Sequence, residues 1–304
     1  MWPKAAGCAT KSRDRAKPKV SPPTVPRLPV RVVTDSNGDV PADLVARYNI
    51  VVVRSLLNIG GKSYRDGLDI TRTEFYQRLP HLNPLPTTAA PSTADFEAAY
   101  RSCGEAKVVA IHLGATLSAI YNAARLGAEP LGEQVSLIDS QQASMGMGWQ
   151  VLAAAEAAEA GGSREDVLQA VRSTQARVRL LAALDTIEYL RRGGRASLLS
   201  TRLGDLLQIK PLLEVRDGQV IALARVRTRQ KVREEMAARV EALGPLARLA
   251  VLYTSNPDDA AAMAQRLAPR VRQPPVLVEA TAVIGTHVGP GAIGLAAVMV
   301  ESSS

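Results

Sequence analysis

Apolar positions along the chain fall into two different regimes. In the first half, short β-branched runs alternate with stretches that repeat at helical spacing. Val30 to Thr34 is such a run, closing in the polar turn Asp35-Ser36-Asn37-Gly38-Asp39. Pro41 then opens a helix through Leu44 and Val45, and Ile50 to Val53 is a second strand. Leu56-Leu57-Asn58-Ile59 leads into Gly60-Gly61, a hairpin signal, and Tyr64-Arg65-Asp66-Gly67 leads to Thr71, whose spacing to Glu74 makes a capping box for a helix carrying Phe75 and Leu79. Pro86-Thr87-Thr88-Ala89-Ala90-Pro91-Ser92 reads as a stiff hydroxyl-bearing loop, with Thr93 as the N-cap of a helix whose apolar face begins with Phe96 and Tyr100. Lys107 to Leu113 is a buried strand and passes at once through Gly114 to Ser118 into a helix ending near Glu129. A strand at Val135 to Ile138 precedes an Ala-rich helix to about Glu159, and Ser163 with Asp166 starts another after Gly161-Gly162. Strands alternating with helices predict a parallel, doubly wound sheet.

The second half changes pattern. Val178 to Leu184 is a strand, Thr186 to Arg191 a short helix, and Arg191-Arg192-Gly193-Gly194-Arg195 a basic turn. Ile209 to Val215 and Val220 to Ala224 flank Asp217-Gly218, a strong signal for antiparallel pairing. A helix from about Arg229 to Leu243 shows Val232, Met236 and Val240 on one face. Leu249 to Tyr253, Val276 to Glu279 and Leu295 to Val300 read as strands, Pro257 to Leu267 as a helix, and Gly285 to Gly291 as a Gly/Pro-rich turn around His287. The expected fold is α/β with two domains: a Rossmann-like parallel sheet with flanking helices over 28–175, and an α+β domain with a mixed or antiparallel sheet over 176–304.

Charge alters this picture at one end only. The net charge is +8, but residues 1–27 hold Lys4, Lys11, Arg13, Arg15, Lys17, Lys19 and Arg27 against Asp14, and so account for six of the eight charges. That segment also carries five prolines and no continuous apolar stretch, and reads as a disordered basic extension that is neither a secretory signal nor a membrane span. The rest of the chain is nearly neutral and aromatics are 4% of residues, so nucleic acid is not an expected partner. With only Cys8 and Cys103, neither a disulfide framework nor a cysteine-based metal site is expected, which suits a cytoplasmic protein. The absence of an amphipathic Lys-rich helix argues against stable membrane insertion.

The candidate chemistry lies in three loops. Thr88 sits beside a helix start, where hydroxyls, free N–H groups and the positive helix end suit a carboxylate or phosphate. Ser118 stands where a strand hands over to a helix, the place where open α/β sheets bind ligands. His287 occupies a Gly/Pro-rich setting with no apolar demand for it. His81 reads as a surface residue, His112 as a satisfied core histidine, and Asp66 and Asp69 as turn residues without a third metal ligand nearby. A Thr, a Ser and a His permit two readings: hydrolysis with Ser118 as nucleophile and His287 as base, or the holding of an oxyanion without reaction. Gly-x-Ser-x-Gly is absent around Ser118, no acid near His287 in sequence is an obvious orienter, and no Gly-x-x-x-x-Gly-Lys-Ser/Thr phosphate cradle is present.

From about residue 30 to 300 the chain resembles the DegV family, whose better-understood members are the fatty-acid-binding B subunits of bacterial fatty acid kinase. The resemblance rests on Thr34-Asp35-Ser36, Tyr64-Arg65-Asp66-Gly67, the Thr88 to Ser92 loop, Leu117 to Tyr121, Asp139-Ser140 with Gly146-Met147-Gly148, Gly193-Gly194-Arg195, Lys210-Pro211, and His287-Val288-Gly289-Pro290-Gly291. It implies a non-catalytic carrier with no cofactor. A long-chain fatty acid such as palmitate would have its carboxylate held by Thr88, Ser118 and His287 and its tail in an apolar tunnel in the first domain. The bound acid would be presented to a separate ATP-using kinase subunit that forms the acyl phosphate, with Arg195 and Arg227 as docking residues. Two departures stand out. The family loop usually reads Thr-Ser-Gln-Pro-Ser and its turn Ser-Gly-Thr-Tyr; here they are Thr88-Ala89-Ala90-Pro91-Ser92 and Ser118-Ala119-Ile120-Tyr121. Polar neighbours of the head-group positions have become apolar while the three direct positions remain.

Overall fold

A computed structural model describes residues 29–199 and 209–301; the basic extension expected over 1–27 lies outside the described residues. In chain order the first half runs β1 (Val30–Asp35), α1 (Ala42–Arg47), β2 (Val51–Val53), β3 (Leu56–Ile59), β4 (Lys62–Arg65), α2 (Arg72–Arg78), β5 (Thr87–Ala89), α3 (Thr93–Arg101), β6 (Lys107–His112), α4 (Ile120–Ala128), β7 (Val135–Asp139), α5 (Ser144–Glu159) and α6 (Arg164–Arg177). The second half runs β8 (Val178–Ala183), α7 (Glu188–Arg192), β9 (Lys210–Arg216), β10 (Gln219–Val226), α8 (Arg229–Glu241), β11 (Leu246–Tyr253), α9 (Pro257–Leu267), β12 (Val276–Glu279), α10 (Ala282–Val288) and β13 (Ile293–Met299).

The alternating first half builds a four-stranded sheet of order β2-β1-β6-β7, parallel throughout. After β1 the chain goes first to one side and later to the other, so the topological switch lies between β1 and β6, and the crevice beyond their carboxyl ends is where such sheets bind ligands. The second half builds a six-stranded sheet of order β10-β9-β8-β13-β11-β12, antiparallel except between β11 and β12. The two-domain α/β expectation thus matches the architecture at the level of its sheets.

Two elements depart from the sequence reading. The Pro86–Ser92 stretch is not all loop: Thr87–Ala89 forms β5, which pairs antiparallel with β3 and completes a third sheet of order β4-β3-β5. The flanking prolines hide so short a strand, because it forms only by pairing with Leu56, Leu57 and Asn58 of β3, about thirty residues earlier. The cap of α3 is Ser92, not Thr93: its hydroxyl accepts from Asp95 N and its own N–H donates to the Asp95 carboxylate.

Helix α5 joins the two large sheets. Twelve of its sixteen residues are buried, including apolar residues on every side, as expected of a helix enclosed by protein rather than lying at a surface. Its Trp149 Nε1 donates to Ala296 O of β13 at 2.9 Å, and Arg248 of β11 forms a forked ion pair with Glu156. A Cβ at Gly148 would stand 2.4 Å from Gly38 O, so only glycine lets the helix touch the turn after β1. One core cluster consequently runs from Val33, Val109 and Ile111 through Met147 and Leu152 to Leu180, Leu252 and Ala296.

Candidate ligand-binding site

The switch-point crevice holds the three candidate residues together. Thr88 reaches it from β5, whose alternation sets Thr88 between the exposed Thr87 and Ala89 and opposite Leu57. Ser118 reaches it from the turn between β6 and α4, with its Oγ 3.4 Å from Ile120 N. His287 reaches it from the last turn of α10. The sequence reading placed His287 in a Gly/Pro-rich turn; in fact Ala282–Val288 is helical, and the turn begins at Gly289 with φ +77°. Thr88 Oγ1 and His287 Nε2 are hydrogen-bonded at 3.0 Å, 199 residues apart in sequence.

These side chains line a cavity of about 150 Å³ together with Asn37, Ser55 and Arg195. Directly against it lies a second cavity of about 140 Å³ whose walls are nearly all apolar, among them Leu180, Leu213, Leu252, Ile293 and Gly294. Ala143, Leu190, Val215, Val220 and Ile284 line both. The apolar space therefore abuts the six-stranded sheet. Its walls come mostly from the second half, whereas Leu113, Leu117 and Ile120 of the parallel-sheet half line the first cavity.

The electrostatics are those of a neutral hydroxyl cluster beside one cation. Burial, and then the nearby Arg195 charge, push His287 down to about 4, so its ring is uncharged at neutral pH. Its Nδ1 is buried without a partner, next to Gly193, where a Cβ would lie 2.7 Å away. Arg195 is oriented by donating from Nη1 to Gly193 O at 2.8 Å. Arg227, by contrast, is exposed on the turn between β10 and α8 and is not among the cavity's lining residues. Among the described residues no hydrogen bond joins Ser118 to His287, and no carboxylate meets the imidazole's other nitrogen. These are the two contacts by which a Ser-His-Asp triad activates its serine and orients its histidine.

Sequence reasoning missed the floor of the cavity. Asn37 and Ser55 are fully buried there, Asn37 Nδ2 donating to Asp35 Oδ1 at 2.8 Å and to Ser55 Oγ at 2.9 Å. Behind them Asp35 Oδ2 meets His112 Nδ1 at 3.1 Å and accepts from Leu113 N at 3.0 Å, and His112 Nε2 meets the Tyr100 hydroxyl at 3.0 Å. His112 is thus the satisfied core histidine expected. Burial alone would push Asp35 up, but the hydrogen bond and charge of His112, with Leu113 N–H and Asn37, hold it below the usual carboxylate value.

A second buried acid cluster fixes α10. Asp39 accepts from Thr281 N at 2.7 Å and from the Ser144 hydroxyl, and Arg72 approaches it at 3.9 Å while also donating to Glu279 O. Asp69 is a surface turn residue held by Arg65, as expected, but Asp66 is completely buried and neither of its oxygens has a well-formed hydrogen bond. Burial pushes Asp66 up to about 6, and the neighbouring Asp39 adds to the shift. Among the described residues no group of three His, Cys, Asp or Glu side chains could hold a metal ion. None of their helices is long and apolar enough to cross a membrane.

The family model for the uncharacterised DegV proteins matches residues 29–300. The chain belongs to the DegV family. A DegV domain-containing protein of Streptomyces coelicolor is 35% identical over 276 residues, covering 88% of this chain and 97% of that one. Among solved structures, a DegV family protein from Thermus thermophilus described by its fatty acid binding has a TM-score of 0.81 at 34% identity, covering 89% of this chain and 99% of its own. DegV from Bacillus subtilis, described as a fatty acid binding protein, has a TM-score of 0.79 at 27% identity, covering 89% and 99%. Of the segments that carry the resemblance, Thr88, Ser118, Arg195 and His287 contribute lining residues to one cavity.

Proposed function

We propose that this DegV protein binds a long-chain fatty acid, with the carboxylate at Thr88, Ser118 and His287 and the acyl chain in the adjoining apolar cavity. The observation that carries this reading is the adjacency of the two cavities: a cluster of hydroxyls, an imidazole and an arginine lies against an apolar space, with five residues lining both. Fatty acid binding by similar proteins supports it. The tail supplies most of the affinity. About fifteen methylenes at ~0.8 kcal/mol each give roughly 12 kcal/mol gross, against association costs of about 4–15 kcal/mol. The head group then selects ligand class, through charge-assisted hydrogen bonds of about 1.5–3 kcal/mol each.

The neutral imidazole sets the direction of the proton. A buried N–H without a partner costs more than a bare lone pair, so the proton belongs on Nε2, donating to Thr88 Oγ1, and the Thr88 hydroxyl is left free to donate to the ligand. Arg195 supplies the compensating charge. The chain itself performs no chemistry; the bound acid is presented to a separate ATP-dependent kinase subunit that converts it to an acyl phosphate, with Arg195 at the carboxylate end and the exposed Arg227 as docking residues. Native mass spectrometry with organic extraction of the purified protein tests the binding: a stoichiometric long-chain fatty acid is the expected result. An empty protein that hydrolyses an acyl ester, with activity lost in Ser118→Ala, would replace this reading by the hydrolase.

A further inference from the structure

The β9–β10 hairpin is held in an unusual way. Strand β10 lies at the edge of the six-stranded sheet and pairs along its length with β9 alone, its outer side meeting a single bridge to Leu199 among the described residues. Its turn, Asp217-Gly218, has both residues at positive φ and reaches across to the carboxyl end of the parallel sheet. There Gly218 N donates to Gln141 O at 3.1 Å, the Thr116 hydroxyl donates to Gly218 O, and just below the turn Gln142 Nε2 donates to Val215 O at 3.1 Å. A Cβ on Gly218 would stand 2.8 Å from Thr116 Oγ1, so the seat is shaped for glycine.

The anchoring segments are themselves tied together. Asp139 Oδ1 accepts from both Ala115 N and Gln141 N, and Gly114 N donates to Gln142 O. This stitched pair of turns includes Ser118 at one end. Meanwhile Val215 and Val220, on the two arms of the same hairpin, line both cavities at their junction. The hairpin is therefore one wall of the ligand space. It belongs to one sheet and is fastened at its tip to the turns of another by three hydrogen bonds.

We propose that the β9–β10 hairpin is a latched flap: Thr116, Gln141 and Gln142 hold its tip down over the junction of the two cavities, and an acyl chain enters and leaves when these contacts release. The inference rests on the fatty-acid reading of the site. Neither the Thr116 hydroxyl nor the Gln142 amide needs to touch the ligand; they act on its exchange, with both filled and empty protein latched.

The test uses the full chain loaded with isotopically labelled palmitate, and measures its transfer to and from phosphatidylcholine vesicles. Thr116→Val and Gln142→Met each remove one latch hydrogen bond at nearly constant volume. Release and uptake should both quicken by roughly 3- to 10-fold, the equivalent of one lost hydrogen bond, with the equilibrium partition little changed. Amide exchange at Gly218 should quicken in Thr116→Val. Wild-type exchange rates in both variants would overturn the proposal, as would a partition shifted as far as in Thr88→Val, which would make these residues part of the binding site. A wild-type protein that takes up no palmitate fails at the earlier step and overturns the binding reading itself.

Discussion

Asp66 is a carboxylic acid folded away from water without a well-formed hydrogen bond to either oxygen, and that has a measurable consequence. Its value of about 6 in the folded protein stands above the 3.8 of an unperturbed aspartate, so the folded state holds the proton more tightly than the unfolded chain. The stability this confers is complete below about pH 3.8 and is lost as the pH rises through 6. Asp66→Asn keeps the shape and removes the charge. It is expected to stabilise the protein by about 1–3 kcal/mol at pH 7.5 and to leave it unchanged near pH 4, measured as urea midpoints across pH. A gap that does not grow between pH 4 and 7.5 would contradict the assignment. Thr88 presents the opposite case, a polar group whose importance lies in the ligand. Thr88→Val preserves the β-branched shape that suits β5 but deletes the hydroxyl. Palmitate affinity should fall by about 1–3 kcal/mol in Thr88→Val, which also leaves His287 Nε2 without its partner and so lowers the stability of the empty protein by about 1 kcal/mol or more, and by a similar amount in Ser118→Ala with the melting temperature unchanged. Calorimetric titration checks both.

At the scale of elements, α10 decides where His287 sits, and its placement comes from Tyr76 of α2. The Tyr76 hydroxyl donates to Ala280 O at 3.0 Å, and Gly285 packs so closely on the ring that a Cβ would lie 2.4 Å from that oxygen. Gly285→Ala should therefore cost about 1–3 kcal/mol by overpacking, and Tyr76→Phe about 1 kcal/mol through the lost hydrogen bond. Because removing the hydroxyl also makes room, the double variant should cost less than the two single costs added, a coupling that denaturant unfolding of all four proteins would reveal. Contacts of this kind explain which elements were legible in sequence. The strands β1, β6 and β7, the helix α5, the β3–β4 hairpin at Gly60-Gly61 and the Asp217-Gly218 hairpin carry local signals and stand where expected. Helix α10 does not: Gly285 and Gly289-Pro290-Gly291 read as turn chemistry, and the glycine's true reason is a tyrosine 209 positions away. Strand β5 was hidden likewise, since three residues between prolines have no periodicity and owe their form to pairing with β3. At the site, Thr88, Ser118 and His287 were marked by residue type and loop position. Asn37 and Ser55 sit in polar segments just after two strands, and only the parallel register of β1 and β2, with Asp35 opposite Val53, brings them together as the cavity floor.

For the whole molecule, the separation into two large sheets does not separate the core. Helix α5 follows the last strand of the parallel sheet, yet its Trp149 donates to β13 and its Glu156 pairs with Arg248 of β11. A continuous buried cluster includes Val33 and Val109 of one sheet and Leu180, Leu252, Ala296 and Val298 of the other. In the opposite direction, Ala282 and Val283 of α10 complete the small core of the three-stranded sheet near the amino-terminal end of the fold. A chain cut between α6 and β8 would expose α5 on a face that carries apolar side chains throughout, and would strip the three-stranded sheet of its partner helix. The expected result is a single calorimetric transition in the intact protein, with calorimetric and van't Hoff enthalpies equal, and no cooperative unfolding in a fragment ending at residue 177. Two resolved transitions, or a fragment that melts cooperatively, would show that the two sheets are independent folding units. The same interlocking places the ligand. The cavities lie where elements of both halves meet, so saturating palmitate should raise the temperature of that single transition as a whole, by an amount that grows with the logarithm of free ligand above its dissociation constant. A ligand that lifted only one part of a split transition would locate its site within one sheet's own core and not at their junction.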